Sequence, residues 1–95
     1  MEDGTTHFVE NEHSWNKHAN MLYINQPAGV AYSACTNPND CQYTDESSAK
    51  DNLVALWYFF DHKFPELRKN DFYISGESYA GLYVTYLTWN VVKFN

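Results

Sequence analysis

Two rhythms of apolar and polar positions divide this chain into elements. Two short continuous apolar runs, residues 21–25 and 72–75, read as buried strands. Between them Ala49, Leu53, Leu56, Trp57, Phe60 and Phe64 recur at three- and four-residue intervals, the mark of an apolar helical face. Asp45-Glu46-Ser47-Ser48 supplies negative charge and cap-capable side chains where that helix begins, and Pro65 marks its end or a break just beyond it. A last helix-like run extends from Leu82 to about Val92. Residues 1–20 are polar and irregular, with short strand character near residues 6–9. Gln26-Pro27-Ala28-Gly29 breaks the first strand, since Pro27 cannot donate to a ladder. Residues 34–44 form a loop rich in Asn, Asp and Pro, bracketed by Cys35 and Cys41. The expected order is β-α-β-α, a unit that builds parallel sheets with right-handed crossovers.

The junction between the second strand and the last helix carries the chemistry. Gly76-Glu77-Ser78-Tyr79-Ala80-Gly81 follows Asp71-Phe72-Tyr73-Ile74-Ser75 directly. A serine flanked by small residues at a strand-to-helix turn is the sequence form of a nucleophile elbow. So tight a turn excludes large side chains two positions before and after the serine, and Gly76 and Ala80 meet that demand. The turn lifts the Ser78 hydroxyl clear and leaves the Tyr79 N–H facing the place where an oxyanion would form. The plainer alternative is a Gly-Ser turn that only links strand to helix.

Composition narrows the classes. A hydrophobic share of 44%, with three Trp, eight Tyr and six Phe, argues for an ordered chain rather than a disordered one. The formal net charge of −6 and the absence of any Lys/Arg cluster argue against a nucleic-acid partner. No apolar run approaches the roughly 18 residues of a membrane span, so no membrane partner is expected. Met1-Glu2-Asp3-Gly4 does not open a signal peptide. The spacings of His7, His13 and His18 match no metal-ligand pattern, so no metal is expected. Trp15 reads as core packing and Asn16 as a tie within its loop, with pocket lining as the sharper alternative. The aromatic run Trp57, Tyr58, Phe59, Phe60 reads as helix-to-sheet packing. Two strands alone leave open edges and uncovered faces, so the isolated chain is expected to be of doubtful stability.

Several segments together resemble the serine carboxypeptidases, peptidases of the α/β-hydrolase class. Asp71 through Val84 resembles that family's nucleophile segment. Asn11-Glu12-His13-Ser14-Trp15-Asn16-Lys17-His18-Ala19-Asn20, followed by Met21 to Ser33, resembles its stretch upstream of the nucleophile, and the helix from about Asp45, ending in Phe64-Pro65-Glu66, is a third segment that agrees. Departures are Ala31 where a glycine is common, Asn25 where an aspartate is common, and Thr85 where a proline is common. The resemblance implies an α/β fold, here a partial α/β-hydrolase fold: a β-α-β-α piece of a mostly parallel sheet, with residues 1–95 as a fragment of one domain. It implies Ser78 as nucleophile, Tyr79 as oxyanion donor and Glu77 as the group that binds the substrate's free C-terminal carboxylate. Two carboxyl groups share a proton only while one is neutral, which would favour acid pH.

The resemblance also sets what this chain lacks. In α/β-hydrolases the triad runs Ser, then Asp or Glu, then His, and no Asp, Glu or His follows Ser78. The expectation is an internal piece of a larger enzyme, inactive alone, which in its complete form hydrolyses the C-terminal peptide bond of peptides and proteins without a cofactor. An inactive or binding homologue, and a carboxypeptidase-like esterase or acyltransferase, are the alternatives. Two cysteines beside a short loop are compatible with a bridge or with two free thiols. Resemblance to a secreted or vacuolar/lysosomal family favours a Cys35–Cys41 disulfide. Oligomeric state is not legible.

Overall fold

The structure is a computed structural model that describes residues 7–37, 39 and 41–94. Helices supply its regular structure. A short 3-10 turn spans Trp15–Lys17. Helix α1 spans Asp45–Tyr58 and continues as one wider π-helical turn over Phe59–Lys63. A 3-10 segment, Pro65–Lys69, follows, and helix α2 spans Ala80–Phe94.

Local chemistry explains each boundary. Thr44 has extended backbone and closes a capping box: its Oγ1 accepts from the Ser47 N–H at 3.0 Å, while Ser47 Oγ accepts from the Thr44 N–H at 2.9 Å. Asp45 and Glu46 then sit in the first turn, where negative charge complements the helix dipole. At the other end the Phe64 N–H donates to the Phe59 carbonyl at 2.8 Å, a five-residue span that widens the turn. Phe64 precedes Pro65 and is forced out of the helical region, at φ −138° and ψ 60°. Arg68 pairs with Asp61 at 2.9 Å across this break.

The two long helices pack side by side. Ala49 and Leu56 of α1 and Leu87 of α2 are the buried apolar residues among those described. The buried stripe of α1 is completed by Ser48 and Asn52, so it is rotated from the all-apolar face expected. Trp57 and Phe64 remain exposed, and Leu53 and Phe60 are half-buried. Asn52 is tolerated inside because its Nδ2 donates to Gln26 Oε1 at 3.3 Å, which fastens the 26–29 turn to α1. Phe60 meets Phe72 edge to face at 5.2 Å, and Phe59 lies 5.0 Å from Phe64.

The expected β-α-β-α sheet is not formed. Among the described residues there is no strand, and segments 21–25 and 72–75 share no ladder hydrogen bond. Of the strand character expected near residues 6–9, residue 6 lies outside the described residues and residues 7–9 form no strand. Apolar runs of this kind become strands by pairing with neighbours on both edges and by being covered on both faces. Here the chain offers neither, and Tyr73 stays 84% exposed. The molecule consequently exposes 8243 Å² of surface, against the roughly 5,700 Å² that size scaling gives for a compact monomer of this length. Trp15 likewise stays 69% exposed rather than entering a core. Asn16 does tie its loop, with Oδ1 accepting from the Ser14 hydroxyl.

Candidate active site

Residues 76–81 form the sharp turn that launches α2. Ser78 sits at φ 62°, a left-handed conformation that costs a non-glycine residue energy. Three backbone bonds hold the turn: Ala80 N–H to the Glu77 carbonyl at 3.1 Å, Gly81 N–H to Ser78 at 3.0 Å and Leu82 N–H to Tyr79 at 2.9 Å. A Cβ added to Gly76 would fall inside the van der Waals envelope of the Ala80 methyl and 3.2 Å from Val84 Cγ2. The small-residue requirement on both sides of the serine is therefore a direct contact between the two positions.

Ser78 is exposed, and its hydroxyl makes no hydrogen bond among the described residues. The Tyr79 N–H is likewise engaged by no acceptor among them. The turn thus leaves both the hydroxyl and the adjacent N–H open to a partner. Glu77 is exposed beside them. The site lacks a base within hydrogen-bond reach of Ser78 among the described residues. His13 and His18 lie exposed in the N-terminal loop, and His62 packs on Trp57 and Tyr58 at 5.1 and 5.0 Å. No group of His, Cys, Asp or Glu suited to a metal occurs among the described residues.

The Tyr79 side chain makes a contact that the sequence did not disclose. Its phenol donates to both carboxylate oxygens of Asp45, at 3.0 and 3.2 Å, and its ring meets Tyr83 edge to face at 5.0 Å. The hydrogen bond to Asp45, then slight desolvation and the nearby negative charge, raise the phenol above its ordinary value of 10.0. Asp45 opens α1 and Tyr79 immediately precedes α2, so both helices begin at the elbow and run in the same direction. Their far ends flank an open cleft of about 260 Å³ lined by Leu56, Phe60, Phe72, Val91 and Phe94. At a rise of 1.5 Å per residue, that cleft lies roughly 17 Å along α2 from the elbow.

The departures noted in the sequence have physical counterparts. Ala31 stands at φ 52°, a conformation that glycine adopts without strain. Thr85 bonds back onto its own helix, its hydroxyl donating to the Gly81 carbonyl one turn earlier at 2.7 Å. The Asn25 carbonyl accepts from the Ser33 hydroxyl. Cys35 and Cys41 form a disulfide with Cα atoms 6.4 Å apart, within the usual span.

A profile of the serine carboxypeptidase family matches residues 1–95. The chain belongs to the serine carboxypeptidase family. It is 44% identical over 85 residues to serine carboxypeptidase-like 41 of Arabidopsis thaliana, covering 90% of this chain and 18% of that protein. It is 45% identical over 92 residues to serine carboxypeptidase ctsa-3.1 of Caenorhabditis elegans, covering 96% of this chain and 16% of that protein. It is 53% identical over 78 residues to serine carboxypeptidase-like 35 of Arabidopsis thaliana, covering 81% of this chain and 16% of that protein. The chain thus spans less than a fifth of the length of these curated relatives. No solved structure matches it. No helix among the described residues is long and apolar enough to cross a membrane.

Proposed function

We propose that this chain carries the nucleophile of a serine-type carboxypeptidase, as one piece of a single serine-carboxypeptidase-like domain. The observation that supports this most is the strained, exposed Ser78 at the head of α2, with the unengaged Tyr79 N–H beside it. In the complete enzyme Ser78 Oγ attacks the carbonyl of the last peptide bond while a triad histidine takes its proton. The Tyr79 N–H holds the oxyanion. Collapse expels the C-terminal amino acid, whose amine takes the proton back, and leaves an acyl-enzyme on Ser78. Water then releases the shortened peptide. Glu77 binds the free C-terminal carboxylate and so selects chain ends. The Cys35–Cys41 bridge fits an oxidising compartment, secretory or vacuolar.

The test uses the full-length enzyme. A fluorophosphonate probe should label Ser78, and C-terminal residues should be released from a blocked dipeptide at acid pH. Ser78→Ala should abolish both. Retained release in Ser78→Ala would refute the assignment. The 95-residue chain alone should show no turnover, because nothing in reach of Ser78 accepts its proton.

A further inference from the structure

We infer that Asp45 is a positioning residue for the oxyanion donor, acting through the phenol of Tyr79. The inference rests on the nucleophile assignment above and extends it to a residue 34 positions away in sequence. The direction of the Tyr79 N–H depends on how Ser78 and Tyr79 sit in the turn. The bond from Gly81 N–H to the Ser78 carbonyl at 3.0 Å sets the plane of the Ser78–Tyr79 peptide, and with it the direction of the Tyr79 N–H, from one side of Tyr79. The side chain holds Tyr79 from the other side. Two Asp45 oxygens grip the phenol, and Tyr83 braces the ring at 5.0 Å. Asp45 is itself set by the Thr44–Ser47 capping box that begins α1. A continuous path therefore runs from the start of α1 through Asp45 and the phenol to the backbone N–H beside the nucleophile. Both oxygens accept from one hydroxyl, a charge-assisted bond that holds better than a neutral one.

Asp45 touches no reacting atom, so its loss should loosen the donor rather than remove it. Outright loss of an oxyanion donor costs about 10²–10³ in kcat, and a loosened one should cost roughly five- to tenfold. In the full-length enzyme, Asp45→Ala and Tyr79→Phe should each lower kcat by that factor with KM within about twofold. The double variant should be no worse than either single variant, since both cut one path. Asp45→Asn keeps an acceptor and should recover most of kcat. Glu46→Ala removes the neighbouring first-turn charge without touching the phenol and should match wild type. Thermal melts of all variants identify any that do not fold, and the Asp45→Asn and Glu46→Ala arms keep the comparison decisive in that event. Wild-type kcat in a folded Asp45→Ala, or multiplicative losses in the double variant, overturns the positioning role. Failure of Ser78→Ala to abolish labelling overturns the nucleophile assignment instead, whatever Asp45 does.

Discussion

Gly76 and Ala80 are packed against each other across the turn that carries Ser78, with no room for a second methyl group between them. The atom in the way is a Cβ on a helix start, not the end of a flexible side chain, so it cannot swing aside. Gly76→Ala should therefore force the turn open, at about 1–3 kcal/mol of stability. It should also displace Ser78 and lower fluorophosphonate labelling of the full-length enzyme. Ala80→Gly added to Gly76→Ala should restore much of both, read by urea unfolding and labelling rate. A double variant as impaired as the single one would show that the contact is not the cause.

Backbone strain at Ser78 separates the stability of this site from its chemistry. At φ 62° glycine is at ease and alanine is not. Ser78→Gly and Ser78→Ala should be equally dead, yet the glycine variant should be the more stable by about 1 kcal/mol. The same reasoning at Ala31, φ 52°, predicts that Ala31→Gly gains about 0.5–1 kcal/mol with activity unchanged. Equal melting temperatures within each pair would contradict both.

The phenol of Tyr79 gives a pH signature. Its proton is held more tightly folded than unfolded, chiefly by the hydrogen bond to Asp45. The unfolded chain therefore loses that proton first as pH rises. The stabilising contribution is complete below about pH 10, the ordinary tyrosine value, and fades as pH climbs through the higher folded value. Ultraviolet titration of tyrosine should show one group released at lower pH in Asp45→Ala than in wild type. Superimposable curves would mean that the phenol does not donate to Asp45 in solution.

The bridge between Cys35 and Cys41 closes a loop of sequence separation 6. So short a loop should contribute about 2 kcal/mol in the chain-entropy account. A non-reduced digest should yield the linked peptide, and reduction should lower the urea midpoint. Two thiols freely alkylated before reduction would exclude the bridge.

Glu77→Gln removes a charge from the position beside the nucleophile while keeping a hydrogen-bond donor. Against substrates with a free C-terminus, its kcat/KM should differ several-fold from that of wild type, because the group that faces the substrate carboxylate has changed charge. Blocked esters and amides should show no such difference. Equal variant-to-wild-type ratios for free and blocked substrates would reduce Glu77 to part of the turn's frame.

What could be read from the sequence was what neighbouring residues decide among themselves. The start of α1 at Asp45, its disruption at Pro65, and the small-serine-small turn ahead of α2 all rest on contacts within a few residues. The sheet did not follow, because 21–25 and 72–75 become strands only with partners and covering faces that these residues do not supply. The buried stripe of α1 turned toward Ser48 and Asn52 because Gln26, 26 residues away, satisfies Asn52. The Asp45–Tyr79 bond is longer in range still, and nothing in the local pattern at either residue announces it. Asp45 read as a helix-start charge, which it also is.

Because α1 and α2 start at the same end, the chain must travel back the length of a helix before α2 can begin. Asn70 lines the far cleft and Ser78 stands at the near end, so eight peptide steps cover roughly 17–20 Å. Fully extended, eight residues reach at most about 28 Å, so this segment is drawn out to roughly two-thirds of its reach. Coiled as an α-helix, the same eight residues would span only about 12 Å and fall short of the near end. Residues 71–77 accordingly carry no helix. The distance between the end of one helix and the start of the next, rather than local propensity alone, keeps the approach to Ser78 in open backbone.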